Sequence, residues 1–178
     1  MSALRRPAPP LADRRAHRML VRAVPAMRAR LPWPVRSLLA GVAGTASLSL
    51  AYVLERHLRT NRSGPLDYDD SLVPGKIVAN ILDLEHVSAR EEDELGLGLR
   101  WSYGSAFGLW HGLLRRRMPE PVASAVFGLS LIGLTFTMFP LLGRTPPPWR
   151  WPKGYLATCL GTHAAYVITV AAVDRPRA

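Results

Sequence analysis

The chain has 178 residues, with 23 Lys and Arg against 13 Asp and Glu, a single Cys and 48% apolar residues. Its charges avoid the stretches 37–54, 101–114, 121–142 and 154–173 altogether, and that segregation excludes a soluble globule, whose elements need charged residues along their solvated faces. A disulfide-stapled secreted module is excluded too, because the lone Cys159 lies inside an apolar run.

A hydrocarbon core about 30 Å thick takes roughly 20 residues of helix to cross, and a helix satisfies its own backbone groups there. The sequence therefore predicts an all-α fold: a polytopic four-helix transmembrane bundle with a short amphipathic helix in its first outer loop.

Residues 1–36 form a Pro- and Arg-rich arm with nine arginines. Its six prolines prevent one long helix, although 17–24 has room for a short basic turn or two on a membrane surface. The basic stretch is too long for a secretory signal and three more spans follow. Arg5-Arg6 and Arg14-Arg15 match a twin-arginine signal only as dipeptides. Such an arm sets topology and attracts anionic lipid headgroups through its arginines. With no recognition motif or interleaved aromatics, no nucleic-acid partner is expected.

The first span is 37–54, which Trp33, Val35 and Leu58 extend. The outer loop 55–96 carries ten acids against five bases. Within it 61–65 is turn chemistry, and Asp70 or Ser71 caps a helix with Pro74 in its first turn. Val73, Ile77, Val78, Ile81, Leu82 and Leu84 then recur at three- and four-residue spacing, predicting about three amphipathic turns lying flat on the outer face or packed over the bundle. Asp67, Asp69 and Asp70 place carboxylates as a hard cation would take them, but the Gly and distal Glu of an EF-hand loop are missing. Helix capping and solvation are therefore the first reading of these acids. The run 91–94 serves the N-terminal dipole of the following helix, or attracts cations or a basic partner.

The second span, 97–114, reaches sufficient length only if Arg100 snorkels to a headgroup at the outer interface. Gly104, Gly108 and Gly112 line one of its faces, so another helix can approach to backbone contact, within the chain or in a second copy. Gly41, Thr45 and Ser49 offer a matching face on span one. The link Arg115-Arg116-Arg117 leads to span three, 121–142, and a Pro-rich turn leads to span four, 154–173, with a tail at 174–178. Counting Lys and Arg on either side of the spans gives fourteen against eight, which places both termini in the cytoplasm. Tyr52, Trp101, Tyr103, Trp149, Trp151 and Tyr155 then fall at the outer interface, and Trp33 at the inner one.

His111 and His163 are the ionisable residues at membrane depth. The first reading is interhelical hydrogen bonding. The alternatives are a proton or substrate path that includes Tyr166, and a facing pair of histidines holding haem or another metal. The sequence shows no Ser-His-Asp set, phosphate loop or clustered Cys, so neither an enzyme nor a cofactor is expected.

The segment Phe139-Pro140-Leu141-Leu142-Gly143-Arg144-Thr145-Pro146-Pro147, followed by Gly161-Thr162-His163, resembles the YagU-like family of bacterial inner-membrane proteins. The resemblance covers roughly 95–173. It implies a four-span fold in the bacterial plasma membrane, with no activity attached. Only His163 is carried over: relatives have a His near the start of the second span, where this chain has Arg100 or a neighbour, and His111 has no counterpart. The function expected is a non-enzymatic structural, accessory or stress-related role, alone or as a homo-oligomer or member of a membrane complex. The alternatives are a small oligomeric transporter or proton conductor, and a haem- or metal-binding protein using His111 and His163.

Overall fold

The computed structural model describes residues 31–58, 73–84 and 88–174. These form five α-helices and one 3-10 turn, with no strand among the described residues: α1 Trp33–Leu58, α2 Val73–Ile81, α3 Ala89–Arg115, α4 Val122–Leu142, the 3-10 turn Pro148–Arg150, and α5 Lys153–Val173. Three are long and apolar enough to cross a membrane: α1 over Trp33–Glu55, then α4 and α5 over their whole lengths. The basic arm up to residue 30, the aspartates Asp67, Asp69 and Asp70 and the caps Asp70 and Ser71 lie outside the described residues.

All five helices belong to one compact unit, Trp33–Arg175. α1 packs mainly on α3 and α5, and α4 closes the ring by touching those same two helices. The short links 116–121 and 143–152 make α3, α4 and α5 successive antiparallel neighbours. Ser37, near the start of α1, meets Gly112 and Asp174 at the ends of α3 and α5, so α1 runs antiparallel to both.

α4 and α5 agree with the spans 121–142 and 154–173 to within one residue, because continuous apolar runs leave the helix no earlier place to stop. The other two helices run beyond their uncharged cores. α1 spans Trp33–Leu58, the 37–54 run with the extension to Trp33 and Leu58 that the sequence offers, and Pro34 sits in its first turn, where its missing N–H costs no hydrogen bond. α3 begins at Ala89, not Leu97, because Ser88 and Glu91 form a capping box: the Ser88 side chain accepts from the Glu91 N–H, and the Glu91 carboxylate accepts from the Ser88 N–H at 2.8 Å. Glu91 therefore lies in the first turn of the helix rather than in a loop before it. α3 is not among the long apolar helices, since Arg100, His111 and its Gly, Ser and Tyr residues lower its mean hydropathy.

α2 is packed over the bundle, against α3 and α4. It buries Val73, Pro74, Gly75 and Ala79, while Ile81, Leu82 and Leu84, expected on its apolar face, are exposed. The helix stops at Ile81, with Asp83 at a φ of 52° and the Leu84 N–H bonded back to the Ala79 carbonyl at 3.0 Å, so the chain turns before a third helical turn forms. The Asn80 side-chain amide donates to the Leu142 carbonyl at 2.7 Å and so satisfies one of the open carbonyls at the end of α4.

Candidate functional site

Close approach of α1 and α3 positions the polar groups. A Cβ added at Gly108 would fall on the Ser37 carbonyl and 2.6 Å from the Gly41 N; one at Gly104 would fall on the Thr45 hydroxyl, and one at Gly112 on the Ser37 hydroxyl. The three-glycine face is thus occupied from within the chain. The partner face is Ser37, Gly41 and Thr45, one turn earlier than the expected Gly41, Thr45 and Ser49. Gly44, which sequence reasoning passed over, does the same for α5: a Cβ there would lie 2.6 Å from Val170 and 2.7 Å from the Tyr166 ring.

At the end where α1 starts and α3 and α5 finish, Asp174 is fully buried and accepts three hydrogen bonds. Arg36 Nε donates to Oδ1 at 3.1 Å, Ser37 Oγ to Oδ1 at 3.0 Å, and His111 Nδ1 to Oδ2 at 3.0 Å. Burial pushes the Asp174 carboxyl up, but the hydrogen bonds from His111, Arg36 and Ser37 outweigh it and hold the group below its ordinary range. An ionised carboxylate only accepts, so the Nδ1 of His111 carries a proton.

The other ring nitrogen, Nε2, lies 3.3 Å from Ser124 Oγ and 3.3 Å from Glu120 Oε1. Ser124 donates its hydroxyl proton to Glu120 at 2.8 Å, and its N–H lies 3.3 Å from the same carboxylate. Arg115 Nε is 3.6 Å from Glu120. Burial raises the Glu120 carboxyl, while the Ser124 hydrogen bonds and the nearby Arg115 and His111 charges prevail and keep it below its usual range. The network thus joins α1, α3, the 116–121 link, α4 and the end of α5.

Asp174, His111 and Ser124 stand in the order of a hydrolytic triad, a set the sequence reading did not contain. Their chemistry differs from one. The Ser124 proton is directed to Glu120, and the N–H groups of Ala123, Ser124 and Ala125 are bonded to Pro119, Glu120 and Pro121, so this turn offers no free N–H pair to an oxyanion. Arg36, Ser37, Glu120, Ser124 and Asp174 were all missed by sequence reasoning. No local signal separates Asp174 from the other charged residues that flank the apolar runs, such as Glu55 and Lys153.

The second polar region lies further along the bundle. His163 Nδ1 donates to the Cys159 carbonyl at 2.7 Å, and Nε2 lies 3.1 Å from the Thr135 hydroxyl. His163 borders a cavity of about 40 Å³, roomy enough for a few waters. Thr45, Tyr52, Arg100, Tyr103, Thr135 and Tyr166 supply its other polar walls, and Leu48, Phe107, Leu131 and Phe139 much of the apolar remainder. The Tyr166 hydroxyl donates to the Gly104 carbonyl, a backbone oxygen exposed to it by the glycine face.

The two histidines do not form a pair. His111 stacks edge-on against Phe127, with ring centroids 5.1 Å apart, and Phe127 in turn lies 5.9 Å from Tyr166, so an aromatic layer separates the lower network from the cavity. Both nitrogens of each ring are engaged, and among the described residues no group of three His, Cys, Asp or Glu is placed to hold a metal.

The expected outer interface divides. Trp149 is 82% exposed and Trp101 is also exposed. Trp151 is instead buried, donating Nε1–H to the Pro146 carbonyl at 2.6 Å and packing edge-on against Tyr155. Arg100 does not reach outward: it is buried, with its guanidinium carbon 5.0 Å from the centre of the Tyr52 ring. Apolar side chains from α4 and α5 enclose Trp151, and the Tyr52 ring face holds Arg100 inward. No protein-family model, curated protein or solved structure matches the chain.

Proposed function

We propose that the protein is a four-span integral protein of the bacterial plasma membrane, with both termini cytoplasmic and a non-enzymatic structural or accessory role. Three long apolar helices and a fourth, α3, pack as antiparallel neighbours. At 27 residues and 1.5 Å per residue α3 is about 40 Å long, enough to cross, and it turns Arg100 and His111 into the bundle. The charge asymmetry of the flanking segments supports the orientation, and the resemblance of roughly 95–173 to YagU-like proteins supports the membrane. The observation that carries the role is the Asp174 network. Buried groups from several helices are bonded to one another there, which ties the helix ends together and supports a structural role.

Cysteines introduced at Arg150 and Arg117 in a chain otherwise free of Cys test the topology with a membrane-impermeant maleimide on intact cells. Arg150→Cys is expected to label and Arg117→Cys to be protected. The opposite pattern overturns the orientation, and equal labelling overturns the crossing of α4.

One observation favours a second reading, a small transporter or proton conductor: polar side chains from α1, α3, α4 and α5 converge on the His163 cavity. Purification in mild detergent separates the two. A stoichiometric membrane partner supports the accessory role, whereas solute or proton flux in vesicles that His163→Leu abolishes supports the second.

A further inference from the structure

The four arginines where α3 ends and α1 begins fall into two pairs. Arg36 and Arg115 are matched by the carboxylates of Asp174 and Glu120. Arg116 and Arg117 are exposed and, among the described residues, form no ion pair. Arg116 lies instead over the face of Trp33, its guanidinium carbon 5.0 Å from the ring centroid. An aromatic face positions a cation without neutralising it, so the charge of Arg116 remains available to an anion. Trp33 opens α1, so the indole and the guanidinium meet where the start of α1 abuts the end of α3.

We propose that Trp33, Arg116 and Arg117 form a docking site for the phosphate of an anionic phospholipid in the inner leaflet. A guanidinium offers two parallel N–H groups to a phosphate, and an indole favours the depth at which headgroups meet acyl chains. The same ends of α1 and α3 expose Val35, Leu38, Leu39 and Leu113, an apolar surface for the acyl chains that a soluble phosphate lacks. The leaflet rests on the orientation proposed above; the site itself does not.

The test is native mass spectrometry of the full chain in mild detergent, titrated with an equimolar mixture of phosphatidylglycerol and phosphatidylcholine. Wild type is expected to retain phosphatidylglycerol selectively. Arg116→Gln and Arg117→Gln should each weaken that retention about five-fold, and together about thirty-fold, with phosphatidylcholine binding unchanged. Arg150→Gln, an exposed arginine in the 143–152 turn, is the control and should retain wild-type selectivity. Lipid-free unfolding temperatures establish that the variants fold, and if the double variant does not, Arg117→Gln alone carries the test. Undiminished phosphatidylglycerol retention in the folded variants overturns the site. Displacement of the lipid by glycerol phosphate at comparable concentration also overturns it, since the ligand is then a free phosphate. Because detergent has no sidedness, a reversed labelling pattern at Arg150 and Arg117 overturns the leaflet and leaves this measurement standing.

Discussion

Replacing Asp174 by alanine removes the acceptor around which one end of the bundle is organised. Three donors lose their partner: the Ser37 hydroxyl and His111 Nδ1–H, both on fully buried residues, and Arg36, which is 23% exposed and turns to water. Each buried donor left unsatisfied costs about 1–3 kcal/mol, so the expected loss is about 3–5 kcal/mol, the range for breaking a buried charge pair by removing one side. Asp174→Asn keeps an oxygen for Arg36 and Ser37 but turns an amide toward His111, and should lose about half as much. Equilibrium unfolding in one fixed detergent, followed by tryptophan fluorescence, reads both. The acid dependence has a definite sign. A carboxyl held below its ordinary range in the fold contributes fully above that range and loses its contribution as pH falls through its folded value. Wild-type stability should therefore decline on acidification below about pH 4, and Asp174→Ala should flatten that decline. An alanine variant within about 0.5 kcal/mol of wild type, a size usual for neutral surface changes, would refute the assigned role. So would an acid profile identical to that of wild type.

Gly108→Leu should destabilise by about 3 kcal/mol or prevent folding, since even a Cβ there falls on the Ser37 carbonyl, whereas Gly133→Leu, with nothing within 4 Å, should be near neutral; equal thermal stability of the two denies the α1–α3 contact. His163→Leu should lose on the order of 1 kcal/mol with its Thr135 hydrogen bond, and His163→Gln less, because an amide retains an acceptor; equal loss of function in both with unchanged stability points to titration rather than bonding. Trp151→Phe should cost about 1 kcal/mol for the indole bond to Pro146, and a neutral result in thermal unfolding returns Trp151 to the interface.

Helix class and the apolar spans were legible in the chain because hydrocarbon-length runs without charge have few ways to satisfy their backbone. α4 and α5 are such runs, and their bounds follow the text of the sequence almost residue for residue. The glycine face of α3 was legible for a similar reason: a four-residue repeat of missing side chains lies on one side of any helix. What the sequence left open was everything that depends on distant residues. Asp174 reads as the first residue of a tail, and only the antiparallel return of α5 past α1 and α3 buries it against Arg36, Ser37 and His111, more than 60 positions away in each case. His111 and His163 both stand at membrane depth in the sequence, and the aromatic layer of Phe127 and Tyr166 separates them. Arg100 and Trp151 have the composition of interface residues, and the rings that hold them inward, Tyr52 for Arg100 and Phe136 and Phe139 for Trp151, come from other helices. Backbone satisfaction and helix periodicity are properties of contiguous segments, so the chain determined its elements by itself. The partner of a buried polar group is chosen by which elements pack together, and that the tertiary structure decided.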